Sequence, residues 1–169
     1  MTMKAVVVYE SHWGSTAAIA RAIAQGIGPD TPALATDEAD VVAVSDVDLL
    51  VAGAPVMGFR LPTEGAERAV LNAVATAPSA PDVSHRSLRS WLEALPRGHG
   101  QGAVFETRVR WSPGGATGAI QQGLERAGYR TGARPGKFIV TGRYGPLREG
   151  ELDRARRWGA ELRARVTET

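Results

Sequence analysis

Short apolar runs alternate along this chain with stretches whose apolar residues recur every three to four positions. Ala5 to Tyr9 is apolar throughout and mostly β-branched, as a strand covered on both faces requires. Ile19, Ala20, Ile23, Ala24 and Ile27 then fall on one helical stripe, with Gly26 and Gly28 as the stop. Ala33 to Ala35 gives a short second strand, and Leu49 to Ala52, inside Asp46 to Ala54, a third. After Pro62, Thr63 caps a predicted helix with Ala66, Val70, Leu71 and Val74 on its apolar face. A Pro-rich loop covers 77–81, and Ser84 caps the next helix, whose Leu88, Trp91, Leu92 and Leu95 face a core before Pro96 ends it. Gly102 to Phe105 is a fourth strand, Gly115 to Ala127 a helix closed by Gly128, Phe138 to Thr141 a fifth strand, and Glu149 to Val166 the last helix. There, Leu152, Ala155, Trp158, Leu162 and Val166 share a face, which makes Trp158 a packing residue. Alternation of this kind predicts a single α/β domain over 1–169, a doubly wound five-stranded parallel sheet with helices on both faces in three α/β/α layers.

Between the first strand and its helix lies Glu10-Ser11-His12-Trp13-Gly14-Ser15-Thr16. A loop that delivers the chain into a helix N-terminus makes an anion site, because the first helical N–H groups lack intrahelical acceptors and the dipole there is positive. Ser11, Ser15 and Thr16 offer hydroxyl donors, and Gly14 lets the backbone come close to a ligand. An ordinary strand-to-helix turn with hydroxyl caps uses the same residue types. The spacing decides the matter further: aliphatic, aliphatic, aromatic, any, Ser/Thr, any two, Gly, any, Thr, any three, Ala, any two, aliphatic is met at every position from Val7 to Ile23. This resembles the phosphate loop of the flavodoxin family. Ser15 stands where that family commonly has Asn, and Trp13 is bulkier than usual.

The resemblance implies a short-form flavodoxin-like fold, uninterrupted in its fifth strand, that binds flavin mononucleotide (FMN), with Ser11, His12, Trp13, Gly14, Ser15 and Thr16 around its phosphate. In an open α/β sheet the ligand sits beyond the carboxyl ends of the strands, where strand order reverses. The resemblance places the isoalloxazine ring between two further loops there, 55–62 and 106–113. Pro55, Val56, Met57, Gly58 and Phe59 are the binding residues of one, and Thr107, Arg108, Val109, Arg110 and Trp111 those of the other. A flat apolar ring with polar edges asks for aromatic or aliphatic faces. Phe59 or Met57 suits one side; Trp111 either covers the other or staples the start of the next helix. His12 either donates to the phosphate or lines the site, or else is exposed. Val56 replaces the family's usual Thr, and the third loop lacks its usual Tyr.

Charge sharpens this picture. The net charge is +2, but residues 1–55 hold 7 acids against 2 bases and residues 56–169 hold 11 against 18. Arg60, Arg108 and Arg110 fall in the ring loops, where acidic flavodoxins penalise the anionic reduced ring. One cation at ~8 Å in an effective dielectric of ~20 favours that anion by about 2 kcal/mol, on the order of 90 mV. These arginines either tune the ring in this way or point to solvent or to Glu106. The arginines of the last helix alternate with Glu149, Glu151, Asp153 and Glu161, which reads as a solvated face and not as a nucleic-acid patch.

With no cysteine in the chain, disulfides, thiolate catalysis and cysteine-held metals are excluded. No run is long enough to span a membrane and no signal peptide precedes the first strand, so a cytoplasmic location is expected. His12, His85 and His99 have no metal-like spacing. No residue is a confident nucleophile or proton donor, so any catalysis would belong to the flavin. Three functions stay open: an FMN-binding electron carrier that meets a redox partner protein or a small-molecule acceptor, an FMN-dependent NAD(P)H:quinone-type or other small-molecule oxidoreductase, and a flavin-free module that binds a partner.

Overall fold

The structure is a computed structural model and describes residues 3–12, 14–56, 61, 86–142 and 145–168. Its elements are β1 (Ala5–Tyr9), α1 (Ser15–Ile27), β2 (Ala33–Ala35), α2 (Val41–Val44), β3 (Leu49–Pro55), α3 (Leu88–Ala94), β4 (Gln101–Val109), α4 (Thr117–Arg126), β5 (Gly136–Val140) and α5 (Glu151–Thr167). The helix expected from Thr63 to Val74 and the proposed Ser84 cap lie outside the described residues. Ser87 caps α3 instead, its Oγ accepting from the Ser90 N–H at 3.1 Å.

Five parallel strands stand in the order β2-β1-β3-β4-β5. Tyr9 pairs with Ala35 on one side and Gly53 on the other, Pro55 with Thr107, and Val109 with Val140. The order reverses between β1 and β3, so the crevice of this doubly wound sheet opens past Tyr9 and Pro55. Because side chains alternate along a strand, each central strand feeds two cores. Val6, Val8, Leu50, Ala52 and Val104 pack with Leu88, Trp91, Ile120 and Leu124 of α3 and α4. Val7, Tyr9, Val51 and Phe105 pack with Ile19, Ile23 and Ile27 of α1 and with Ala155 and Leu162 of α5. The expected three-layer architecture is present.

Aromatic groups finish both layers. Trp91 is fully buried, and its indole N–H donates to the Ala39 carbonyl at 2.9 Å. Trp158 meets Phe105 and Phe138 edge to face with centroids 6.4 and 6.0 Å away, the packing role its periodicity predicts. On the same face α1 and α5 come into direct backbone contact at Gly159: a Cβ there would overlap the Ile23 carbonyl oxygen.

Two sequence expectations are corrected. The stretch 106–113 is not a loop throughout, since β4 runs on to Val109 and pairs with β5 along its whole final third. Its polar residues are held by partners from neighbouring helices, which a reading of local polarity cannot see. Helix α2 was not expected at all; Asp40 starts it by accepting the Val42 N–H at 3.0 Å.

Candidate functional site

Five helices begin in this chain among the described residues, and four have an acidic or hydroxyl group at the start. Asp40 caps α2 and Ser87 caps α3. The Leu88 N–H of α3 also donates to Glu10 Oε1 at 2.7 Å. The Ala116 and Thr117 N–H groups at the start of α4 donate to Glu106 Oε1 at 3.0 and 3.2 Å. Helix α5 carries Glu151 and Asp153 in its first turn. Helix α1 has no side-chain cap and no acid in its first turn. Among the described residues no side chain neutralises its positive end.

The loop that leads into α1 is pre-shaped. Gly14, at φ +94°, sits in the left-handed region that a glycine tolerates without strain, and a Cβ there would meet nothing within 4 Å. Ser11 is buried and its Oγ accepts the Gly14 N–H at 3.1 Å. Ser15 is the first helical residue and half-buried. Thr16, in contrast, is buried, and its Oγ1 lies 2.7 Å from Thr107 Oγ1. Two residues predicted at opposite ends of a ligand thus touch each other.

His12 is not exposed. Its side chain is buried, with Nε2 3.0 Å from Glu10 Oε2, and Glu10 is fully buried as well. Glu10 thereby joins the loop to the N-terminus of α3. Residues after strand ends read as loop, so Glu10 drew no attention in the sequence and Glu106 drew it only as a partner for an arginine. The signal available was their shared position, a glutamate directly after an apolar strand run.

At the ring end, Pro55 closes β3, and the half-buried Val56 donates its N–H to the Thr107 carbonyl at 2.9 Å. Arg108, expected to address the ring or solvent, follows its other option: Nη1 donates to Glu106 Oε2 at 2.8 Å and to the Gly114 carbonyl at 2.8 Å, and Nη2 to the Ser112 carbonyl. Its guanidinium thus frames the turn after β4. The Val109 carbonyl accepts from the Ser112 N–H at 3.1 Å in that turn. Arg110 is exposed, and Trp111 is 82% exposed, which discards its packing role and leaves its face available. Trp13, Met57, Gly58, Phe59 and Arg60 lie outside the described residues. Sequence reading also missed Arg89 in α3, whose Nη2 donates to the Leu61 carbonyl at 3.1 Å.

On the neighbouring strand end, Glu151 accepts from the Ile139 N–H at 2.6 Å and from Arg148 and Arg154. Burial raises its pKa, but Arg154, Ile139 and Arg148 outweigh this and hold it at about 2. Among the described residues no group of three or more His, Asp or Glu is placed to hold a metal ion, and no helix is long and apolar enough to cross a membrane.

No protein-family model matches the sequence, and no curated protein does. Solved structures do match over nearly the whole chain. A flavodoxin from the domain Archaea is 18% identical, covers 98% of this chain and 99% of its own, and superposes with a TM-score of 0.65. A short-chain flavodoxin associated with a non-canonical PDU bacterial microcompartment is 13% identical over 98% of this chain and 99% of its own, with a TM-score of 0.64. Oxidised flavodoxin 1 from Bacillus cereus is 15% identical over 94% of this chain and 96% of its own, with a TM-score of 0.63. Together with the strand order and the uninterrupted β5, these likenesses show that the chain has the flavodoxin fold in its five-stranded form.

Proposed function

We propose that this protein binds FMN and works in electron transfer. The observation that carries the reading is the N-terminus of α1, which no described side chain caps, beside two neighbouring helices whose first N–H groups are already held by Glu10 and Glu106. The residues fit the phosphate end of the cofactor. Ser11 shapes the loop, Gly14 leaves room for close approach, and Ser15 and the first-turn N–H groups are donors. His12, held by Glu10, keeps the loop in register. Trp13 and Thr16 complete the set that the flavodoxin resemblance implies.

The ring is assigned to the crevice past β3 and β4, between Pro55 to Phe59 and Thr107 to Trp111. Trp111 presents an exposed aromatic face there. When bound, FMN supplies the capacity to take up and pass on electrons one or two at a time. The protein supplies the anion site, the orientation of the ring and its electrostatic surroundings.

Titration with FMN, followed by quenching of flavin fluorescence, tests the reading. Tight uptake of FMN, at least tenfold weaker binding of riboflavin and competition by inorganic phosphate are the expected results. No uptake would leave the flavin-free partner-binding module. Stepwise anaerobic reduction then separates the other two: two resolved one-electron steps mark a carrier, and direct turnover of NAD(P)H with a quinone marks a reductase.

A further inference from the structure

Helix α3 starts at the carboxyl edge of the sheet, where Glu10 accepts its Leu88 N–H. The next residue, Arg89, reaches from α3 to the 55–62 loop, and its Nη2 donates to the carbonyl of the buried Leu61. Its Nε–H is buried and has no acceptor. Such a donor is costly to leave unmet, and charged donors more so. The other arginines at this edge whose charge is half-buried have a carboxylate: Arg108 has Glu106, and Arg154 has Glu151. Among the described residues no acid pairs with Arg89.

We propose that Arg89 is the cation that holds and tunes the flavin ring, donating to the carbonyl-bearing pyrimidine edge of the isoalloxazine. This rests on the FMN reading above. The side of that edge formed by N1 and the C2 carbonyl carries two adjacent acceptors, and it takes up the negative charge when the ring is reduced. A guanidinium stays protonated throughout the working range and presents its N–H groups in one plane, which suits a row of ring acceptors. The phosphate is not the partner of Arg89, because the phosphate loop opens at α1, on the opposite face of the sheet from α3. Arg108 does not fill the role, since its guanidinium is bonded to Glu106, Ser112 and Gly114.

The experiment compares the wild-type protein with Arg89→Gln, and with Arg89→Met if the Gln variant does not give a folded chain by near-UV circular dichroism. For each, FMN affinity is measured in the oxidised and the fully reduced states, together with the reduction potentials. Removal of the charge should weaken binding of reduced FMN at least tenfold more than binding of oxidised FMN, and the two-electron midpoint potential should fall by about 30 mV per tenfold. Arg89→Lys should keep most of the wild-type preference. Equal weakening of both states, or none, would overturn the role of Arg89 while leaving the FMN reading intact. Failure of the wild-type protein to take up FMN would remove both.

Discussion

Thr16 Oγ1 and Thr107 Oγ1 lie 2.7 Å apart and join the first turn of α1 to the last part of β4 across 91 residues of sequence. Both residues are buried. The bond ties the start of α1 to the strand that leads into the third loop, so the two halves of the candidate site are joined directly.

Replacing either threonine with valine strands the other hydroxyl in the interior. Each of Thr16→Val and Thr107→Val should cost about 1–3 kcal/mol in urea unfolding. The double variant should cost less than the two single losses added together, because neither hydroxyl is then left alone. Additive losses would show that the bond contributes nothing of its own.

Glu10 serves two donors with two oxygens, the Leu88 N–H at 2.7 Å and His12 Nε2 at 3.0 Å. Glu10→Gln keeps the shape but turns one oxygen into an N–H2 group that faces a donor. A loss of about 1–3 kcal/mol is expected, with at least tenfold weaker FMN binding because His12 sits in the loop. Glu168→Gln, on the exposed end of α5, is the control and should be neutral.

Arg108 and Glu106 form a pair whose side chains are 12% and 0% exposed. Removing the cation alone leaves a buried carboxylate held by two backbone N–H groups, so Arg108→Ala should destabilise by about 3 kcal/mol. Removing both charges in Glu106→Gln/Arg108→Met should recover part of that loss. Thermal unfolding of the three variants checks it; a single-variant effect below about 0.5 kcal/mol would show that the pair does not frame the turn.

Glu151 ties α5 to the Ile139 N–H, and its pKa falls from 4.5 to about 2 on folding. As pH is lowered, the unfolded carboxyl takes up its proton before the folded one does. The stabilisation, about 3 kcal/mol, is therefore complete above the unfolded value and disappears as pH falls from about 5 to about 2. In Glu151→Gln, stability should be lower than wild type at pH 7, and the gap should close across that window. A gap of constant size down to pH 2 would contradict the assignment.

Gly159→Ala places a methyl group against the Ile23 carbonyl oxygen where α1 meets α5. Alanine favours a helix over glycine by about 1 kcal/mol, yet overpacking costs about 1–3 kcal/mol. Net destabilisation is expected, measured by chemical unfolding, with a shift of the α1 amides in the NMR spectrum.

What the sequence made legible follows from how local each signal is. Val6 to Tyr9 and Ile19 to Ile27 declare their partners by period alone, and even the three residues of β2 were recoverable from their small apolar side chains. Gly14 and the hydroxyls around it announced a tight turn into a helix because their roles are backbone roles. The far half of the site was illegible for the opposite reason. Glu106, Thr107 and Arg108 look like loop because they are polar, and they are strand because α1, α4 and the turn at 112–114 supply their partners. Arg89 looked like one more cation on a helix, and only the contact with Leu61 distinguishes it.

The carboxylates of Glu10 and Glu106 act as resident stand-ins for a ligand at α3 and α4. Among the described residues α1 is the helix left without such a group, so on the FMN reading a single phosphate suits this edge, whereas the pyrophosphate of a dinucleotide would bring a second negative group toward helix ends that are already neutralised. On that reading, the same two glutamates that fasten the helices to the sheet also select for a ligand with one phosphate.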